Sequence, residues 1–340
     1  MKILAIGDPH FRVDNIPEVE LFITKIEALA RERTPDIIIC LGDLLHTHER
    51  IHTIPLNKAY EFIKKMSIIA LTVVLVGNHD YIQNQQFLTE NHWMNAMKSW
   101  NNVLIVDKVV HFELNEFRFI FCPYVPNKRF EEALTTISDR FEWKSVDCIF
   151  AHQEFAGCKM GAITSVDGDI WDLSYPEIVS GHIHSRQKPQ ENIYYTGSSL
   201  QHAFGESDKN TIAILHFQQR KKYTLEEIDL GLPRKKIVYL PMDKVDEYEF
   251  PMTNDDIKLS LTGSHEDFKA FKKTEKFKQL SKEGAKIVFK VDDTTSEEMK
   301  IDQEEHQQCD FKSILKNLVN SLQNPLLTEY FELVVNNKIN

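Results

Sequence analysis

The sequence predicts an α/β sandwich built on a mostly parallel sheet, followed by a small α+β unit and a C-terminal helical hairpin. Three observations carry this. Up to about residue 200, short β-branched runs alternate with segments of helical period. From Gly231 to Lys236, two strong breakers and a basic cluster then interrupt the strand signals. Near the C-terminus, two apolar stripes of helical spacing follow a polar stretch.

Taken in order, Lys2 to Ile6 reads as a short buried strand that runs into the carboxylate of Asp8. Val19, Phe22, Ile23, Ile26 and Leu29 recur at helical spacing, which predicts a helix with one face on the sheet. Ile37 to Leu41, Leu71 to Val76, Val146 to Phe150 and Glu177 to Ser180 are further strands. Phe117, Phe119 and Phe121 alternate with other residues, so Phe117 to Cys122 is expected to be a half-buried antiparallel strand that makes the sheet mixed. Beyond the breakers, Asp256 to Leu261 and Lys286 to Val291 are strands, and Ser264 with Asp267 forms a capping box that opens the helix between them, a small βαβ unit. Asp292 to Glu305 is acidic and polar without apolar periodicity, as in a linker. Phe311, Ile314, Leu315, Leu318, Val319 and Leu322 then form one stripe, and Leu326, Leu327, Tyr330, Phe331 and Val334 form another beyond Pro325. The expected units are therefore 1–232, 233–291, a linker 292–309 and a helical segment 310–340.

Composition narrows the function. A length of 340 residues suits about two domains, and 42% hydrophobic with 27% charged residues is ordinary for a globular protein. No run of 18 apolar residues exists to span a bilayer, and no secretory apolar segment precedes the first strand, so a cytoplasmic protein without a membrane role is expected. Five cysteines, Cys40, Cys122, Cys148, Cys158 and Cys309, include no CxxC pair and read as reduced thiols. The net charge of −11 argues against holding nucleic acid mainly through a basic surface. No G-x-x-x-x-G-K-[ST] loop is present, so the chain has no ATP site of that type, and any ATP dependence would come from another chain.

The chemistry sits in five short blocks at the predicted carboxyl ends of strands. They are Gly7-Asp8-Pro9-His10, Gly42-Asp43, Gly77-Asn78-His79-Asp80, Ala151-His152 and Gly181-His182-Ile183-His184. Ligand sites in α/β sheets form where such loops converge. Asp8, His10, Asp43, Asn78, His152, His182 and His184 supply oxygen and imidazole donors; with Asp43 bridging, these seven residues give four ligands to each of two ions. A mixed O/N set without thiolate suits Mn, Fe or Zn better than Ca or a structural zinc knot.

In this order, D-x-H, G-D, G-N-H-D, H and G-H-x-H, the blocks resemble the calcineurin-like metallophosphoesterases over residues 1 to about 205. Within that superfamily the chain is most similar to the nuclease subunit of the SbcC-SbcD complex and its archaeal and eukaryotic meiotic-recombination counterparts. Gly42-Asp43-Leu44-Leu45-His46 resembles their GDLFH block, Tyr195-Thr196-Gly197-Ser198 their YPGS segment, and Phe204-Gly205-Glu206 follows at the corresponding place. Protein serine/threonine phosphatases carry G-D-x-V-D-R-G instead, and Leu44-Leu45-His46 lacks that arginine.

The resemblance implies a metallophosphoesterase β-sandwich of mixed sheets flanked by helices, a capping domain over 233–291 and an ATPase-binding region at the C-terminus. It implies that Asp8, His10, Asp43 and His184 hold one divalent metal, and Asp43, Asn78, His152 and His182 the other. Mn is the preferred metal, with Mg, Fe or Zn as alternatives. Two such ions would acidify a water and clamp phosphate oxygens for in-line attack. His79 is the candidate to stabilise the developing charge or to protonate the leaving 3′ oxygen, with Asp80 to orient it and His46 at the rim to touch a phosphate. The expected function is a two-metal DNA exonuclease or endonuclease on ends or hairpins, homodimeric and gated by an SbcC-type coiled-coil ATPase. It would be associated with the nucleoid, or nuclear in a eukaryote.

Other readings stay open. One is a stand-alone phosphodiesterase or phosphatase on a nucleotide or other small phosphoester, and another is a non-catalytic scaffold that clamps DNA for the ATPase. His48, His52, His92, His111, His202, His216, His265 and His306 carry no comparable spacing and read as ordinary. Lys269, Lys272, Lys273 and Lys276 fall on one helical face, which is either a solvated face or a phosphate-backbone contact. Phe311, Ile314, Leu315, Leu318, Leu326, Leu327 and Phe331 either complete the protein's own core or dock on a partner helix.

Overall fold

Two six-stranded mixed sheets face each other and are flanked by helices, the mixed-sheet sandwich that the resemblance implies; the pattern of apolar runs alone suggested one mostly parallel sheet. This computed structural model describes residues 1–48, 50–137 and 142–291, with the single positions 319, 326, 327 and 331. The first sheet contains β1 (Lys2–Ile6), β2 (Ile37–Cys40), β3 (Leu71–Leu75), β4 (Val103–Val106), β13 (Ile212–Gln219) and β14 (Lys222–Ile228), in the order β14-β13-β1-β2-β3-β4. Its strands β1 to β4 run parallel and β13 antiparallel to β1. The second contains β5 (Val110–Leu114), β6 (Phe117–Cys122), β7 (Cys148–His152), β10 (Ile178–Gly181), β11 (Gln187–Gln190) and β12 (Ile193–Tyr195), in the order β11-β12-β10-β7-β6-β5. A short hairpin, β8 (Lys159–Met160) and β9 (Ile163–Thr164), lies outside both.

Residue parity builds the layers, because successive side chains on a strand point to opposite faces. Ile3, Ala5, Ile37, Ile39, Val73 and Leu75 meet Phe119, Phe121, Phe150 and Val179 between the sheets. Their neighbours Leu4, Ile6, Ile38, Cys40 and Val74 face outward and pack under α1 (Ile16–Arg33) and α2 (Thr53–Ile69). Pro17 sits in the first turn of α1, where its missing N–H costs nothing, and Thr34 in the left-handed region ends the helix before Pro35. On the far side, Ile120, Cys122, Ile149, Ala151 and Ile178 pack against α3 (Phe130–Thr135), Trp143 and Trp171.

One strand differs from expectation. β6 is antiparallel to β5 but parallel to β7, and all of it except Arg118 is buried rather than half-buried. It lies inside the sheet, so both faces are covered. Phe119, fully buried, meets Phe150 and Phe217 edge-on with ring centroids 5.7 and 5.1 Å apart. Phe119→Ala is expected to cost roughly 3–5 kcal/mol through the cavity it leaves, read as a lower urea midpoint at unchanged m-value.

The last described unit is a parallel sheet, β15-β16-β17, formed by β15 (Lys235–Pro241), β16 (Asp256–Gly263) and β17 (Lys286–Val291). β15 begins inside the basic cluster read as a break. An edge strand needs few apolar residues, and Lys235 pairs with Glu18 of α1 at 2.7 Å. The single helix expected after Ser264 is two, α4 (His265–Phe271) and α5 (Glu275–Lys282). The Ser264–Asp267 capping box opens the first, and Thr274 caps the second by accepting the N–H of Phe277. Lys269 therefore lies on α4, Lys272 and Lys273 in the connecting turn and Lys276 on α5, so the four lysines do not share one helical face.

Cys40, Cys122, Cys148 and Cys158 are buried free thiols. Among the described residues no helix is long and apolar enough to cross a membrane. The linker, together with Phe311, Ile314, Leu315 and Leu318 of the expected hairpin, lies outside the described residues; the described Leu326, Leu327 and Phe331 are helical.

Candidate metal centre

All five chemistry-bearing blocks follow or end a strand: β1, β2 and β3 of the first sheet, β7 and β10 of the second. The chain must turn sharply there. Asp8, His10, Asp43 and His182 all have positive φ, at 36°, 43°, 52° and 77°. Non-glycine residues hold such angles only where their surroundings over-determine them, and they cluster at functional sites. Two glycines allow the approach. Gly42 has φ 110° and a Cβ there would strike Nδ1 of His152; a Cβ on Gly77 would strike both the backbone nitrogen and the carboxylate of Asp43.

The turns bring the candidate ligands together. Asp8, His10 and Asp43 offer ligand atoms within 4.8 Å of one another, and so do Asp43, His152 and His182. Asp43 is common to both groups, with Oδ2 at 3.5 Å from His10 Nε2 and 3.4 Å from His152 Nε2. Asn78 Oδ1 lies 3.0 Å from His152 Nε2 and 2.9 Å from His182 Nδ1. His184 Nε2 is 3.1 Å from His10 Nε2. His152 Nδ1 donates to the Leu41 carbonyl at 2.6 Å, which leaves Nε2 as the ring atom that meets Asp43 and Asn78.

The set fits divalent cations on its own geometry. Asp8 Oδ2 is buried without any hydrogen-bond partner, an arrangement that buried carboxylates otherwise avoid. Burial pushes the Asp8 carboxyl up and the His10 imidazole well down. The neutral imidazole is the form that binds metal, and a cation beside Asp8 would restore its charge. At Asp43, burial opposes ionisation, but the neighbouring His152, His10 and His79 outweigh it and hold the carboxyl well below the usual range.

His79 stands beside this cluster, its ring centroid 4.9 Å from that of His10. Its backbone N–H donates to Asp43 Oδ1 at 2.8 Å, and its Nδ1 donates to the His46 carbonyl at 2.6 Å. Asp80 does not orient it, contrary to the expectation. That carboxylate is buried and accepts the Gly77 N–H at 3.0 Å and the Trp93 indole at 2.9 Å, so it holds the turn. Burial and then the charge of Asp43 push Asp80 up to about 6. The His46 imidazole is partly exposed, with Nδ1 3.4 Å from His10 Nδ1.

Sequence reasoning passed over four residues. His202, read as ordinary, is buried with Nε2 2.9 Å from the Asp8 carbonyl, and its ring lies 4.8 Å from His10 and 4.9 Å from His184. Burial and then His184 push it down to about 3, so it is neutral. Glu206 lies 3.5 Å from His184 Nδ1, and Glu154 lies 3.9 Å from His182 Nε2. His48, also read as ordinary, stacks on His79 at 4.6 Å. A signal existed for two of them, since His202 and Glu206 flank Phe204 just after the Tyr195-to-Ser198 segment.

The calcineurin-like phosphoesterase family model matches residues 1–186. A protein of Invertebrate iridescent virus 3 named "Putative phosphoesterase 078R" is 46% identical over 298 residues, 87% of this chain and 86% of its own. "Putative phosphoesterase 244L" of Invertebrate iridescent virus 6 is 50% identical over 279 residues, 80% of this chain and 97% of its own. Among solved structures, Yfce, a phosphoesterase from E. coli, matches over 68% of this chain and 100% of its own, with 12% identity and a TM-score of 0.31.

Proposed function

Because the chain belongs to the calcineurin-like phosphoesterase family, we propose that it hydrolyses phosphodiesters of nucleotide size with two divalent cations shared across Asp43. The observation that carries this is the placing of Asp43 Oδ2 within 3.5 Å of ring nitrogens from both ligand groups, beside the unpartnered Asp8 Oδ2. When bound, the two cations supply Lewis acidity and a nucleophile at neutral pH. Asp8, His10 and His184 complete one set of ligands, and Asn78, His152 and His182 the other. His79 is fixed through Nδ1–H to the His46 carbonyl, so Nε2 is the atom left to face the substrate, and in the imidazolium form it carries the proton that passes to the leaving oxygen. Phosphodiester chemistry suits a rim that presents imidazoles, His46, His48 and His79, to the departing group, since an alkoxide leaving phosphorus needs a proton.

A second reading, a DNA nuclease with an SbcC-type ATPase partner and a homodimeric state, has one observation in its favour. Lys258 and Lys286 of the small sheet lie 5.6 and 5.1 Å from the ring of Phe204, so two ammonium groups gather on the loop that also carries His202 and Glu206. The net charge of −11 works against a long polyanion as substrate. Mn-dependent turnover of bis(p-nitrophenyl) phosphate and end-labelled hairpin DNA separates the two. Hydrolysis of the small ester alone supports the first reading, cleavage of DNA at comparable kcat/KM supports the second, and failure on both with two Mn ions bound would sink the first.

A further inference from the structure

We propose that Glu206 and Glu154 are a matched pair of positioning carboxylates, one behind each cation site, which fix the nitrogens that His184 and His182 turn to the metals. This rests on the two-cation reading above. The two histidines are two residues apart in one loop, yet they present opposite ring atoms. His182 directs Nδ1 inward, 2.9 Å from Asn78 Oδ1, and its Nε2 lies 3.9 Å from Glu154 Oε2, an ion-pair separation that a small ring rotation would close to a hydrogen bond. His184 directs Nε2 inward, 3.1 Å from His10 Nε2, and its Nδ1 lies 3.5 Å from Glu206 Oε1.

A neutral imidazole has one N–H and one lone pair, so whatever accepts at the outer nitrogen draws the proton there and frees the inner lone pair. Both glutamates are held for that task. Glu206 Oε2 accepts the backbone N–H groups of His202 and Ala203 at 2.9 and 3.1 Å. Glu154 accepts the Asn127 amide at 3.2 Å through Oε2 and the Ser165 hydroxyl through Oε1. His152 needs no such carboxylate, because it is fully buried and its Nδ1 is fixed by the Leu41 carbonyl. His182 and His184 are partly exposed, with 18% and 35% of their side chains accessible, so a ring flip is open to them unless an outer acceptor forbids it.

Glutamine separates this role from loop packing. At position 206 its carbonyl oxygen still accepts the loop's N–H groups, while its NH2 group faces the outer nitrogen of His184 and demands a lone pair there, the wrong tautomer for binding. At position 154 a single oxygen, Oε2, meets both Asn127 and His182, so removal of the carboxylate in Glu154→Ala is the matching variant. Equilibrium dialysis with Mn and elemental analysis should show two ions per wild-type chain. Glu206→Gln and Glu154→Ala should each weaken a single ion by roughly 10–100-fold, and the double variant both ions, with metal-free thermal unfolding of Glu206→Gln unchanged. Glu206→Asp, which keeps the charge, should recover most of the loss. Wild-type affinity for both ions in both single variants, or an equal loss in Glu206→Asp and Glu206→Gln, would overturn the proposal. Fewer than two ions in the wild type would instead overturn the two-cation reading, and this inference with it.

Discussion

Asp43→Ala is expected to remove both cations together and to lower kcat/KM by roughly 10⁴-fold or more, the scale at which an interdependent catalytic unit fails. The reason is geometric. Asp43 Oδ2 is within 3.5 Å of ring nitrogens in both ligand groups, and Oδ1 holds the His79 backbone at 2.8 Å. Loss of one carboxylate therefore opens both sites and frees the residue proposed as proton donor. By contrast, His152→Ala should disturb chiefly the second set. The check is elemental analysis after gel filtration, paired with thermal unfolding with and without Mn. A ligand that binds only the folded chain stabilises it by about 2.7 kcal/mol at a hundred times Kd. Wild type should gain on that scale and Asp43→Ala should gain nothing. An Asp43→Ala protein that still carries two ions would show that Asp43 is not shared.

Much of the centre could be read from the sequence because its signals are local. Glycine followed by Asp, Asn or His at the end of a β-branched run marks a strand end with a tight turn, and five such blocks in order point to one place. Asp8, His10, Asp43, Asn78, His152, His182 and His184 were named from those blocks, and the structure gathers them. What could not be read is what depends on long-range packing. His202 meets Asp8 and His10 across more than 190 residues of chain, and nothing near it in sequence tells which way its ring turns. Asp80, one residue from His79, suggested a hydrogen bond to it by proximity alone; the turn directs its carboxylate to Gly77 and Trp93 instead.

The same limit governs the fold. Parity along Ile37 to Cys40 could not say that alternate residues face two different cores, since all four are apolar and all four are buried. A run of that kind is equally consistent with a single sheet under helices; the sandwich of mixed sheets follows from the order of the motif blocks and their family resemblance, and its physical basis is pairings distant in sequence, such as β6 with β7. The lysines of the small unit were misplaced for a local reason. Helical spacing continues unbroken through Lys272 to Lys276, but the cap at Thr274 closes one helix and starts another between them.

His79→Asn should lower kcat by roughly 10²–10⁴-fold with little change in KM and with two ions still bound, because its side chain is proposed to move a proton rather than to hold metal. The choice of substrate makes this decisive. p-Nitrophenolate leaves as a stable anion and needs no proton at the moment of bond cleavage, whereas an alkoxide such as a ribose oxygen does. The loss should therefore be large for a dinucleotide and small for bis(p-nitrophenyl) phosphate. His46→Ala keeps the backbone carbonyl that fixes His79 Nδ1, so the ring of His79 stays anchored in that variant and the two histidines can be told apart. Equal losses on both substrates in His79→Asn would mean that His79 acts on the phosphate charge and not on the leaving group, and the proton-transfer role would then have to be given up.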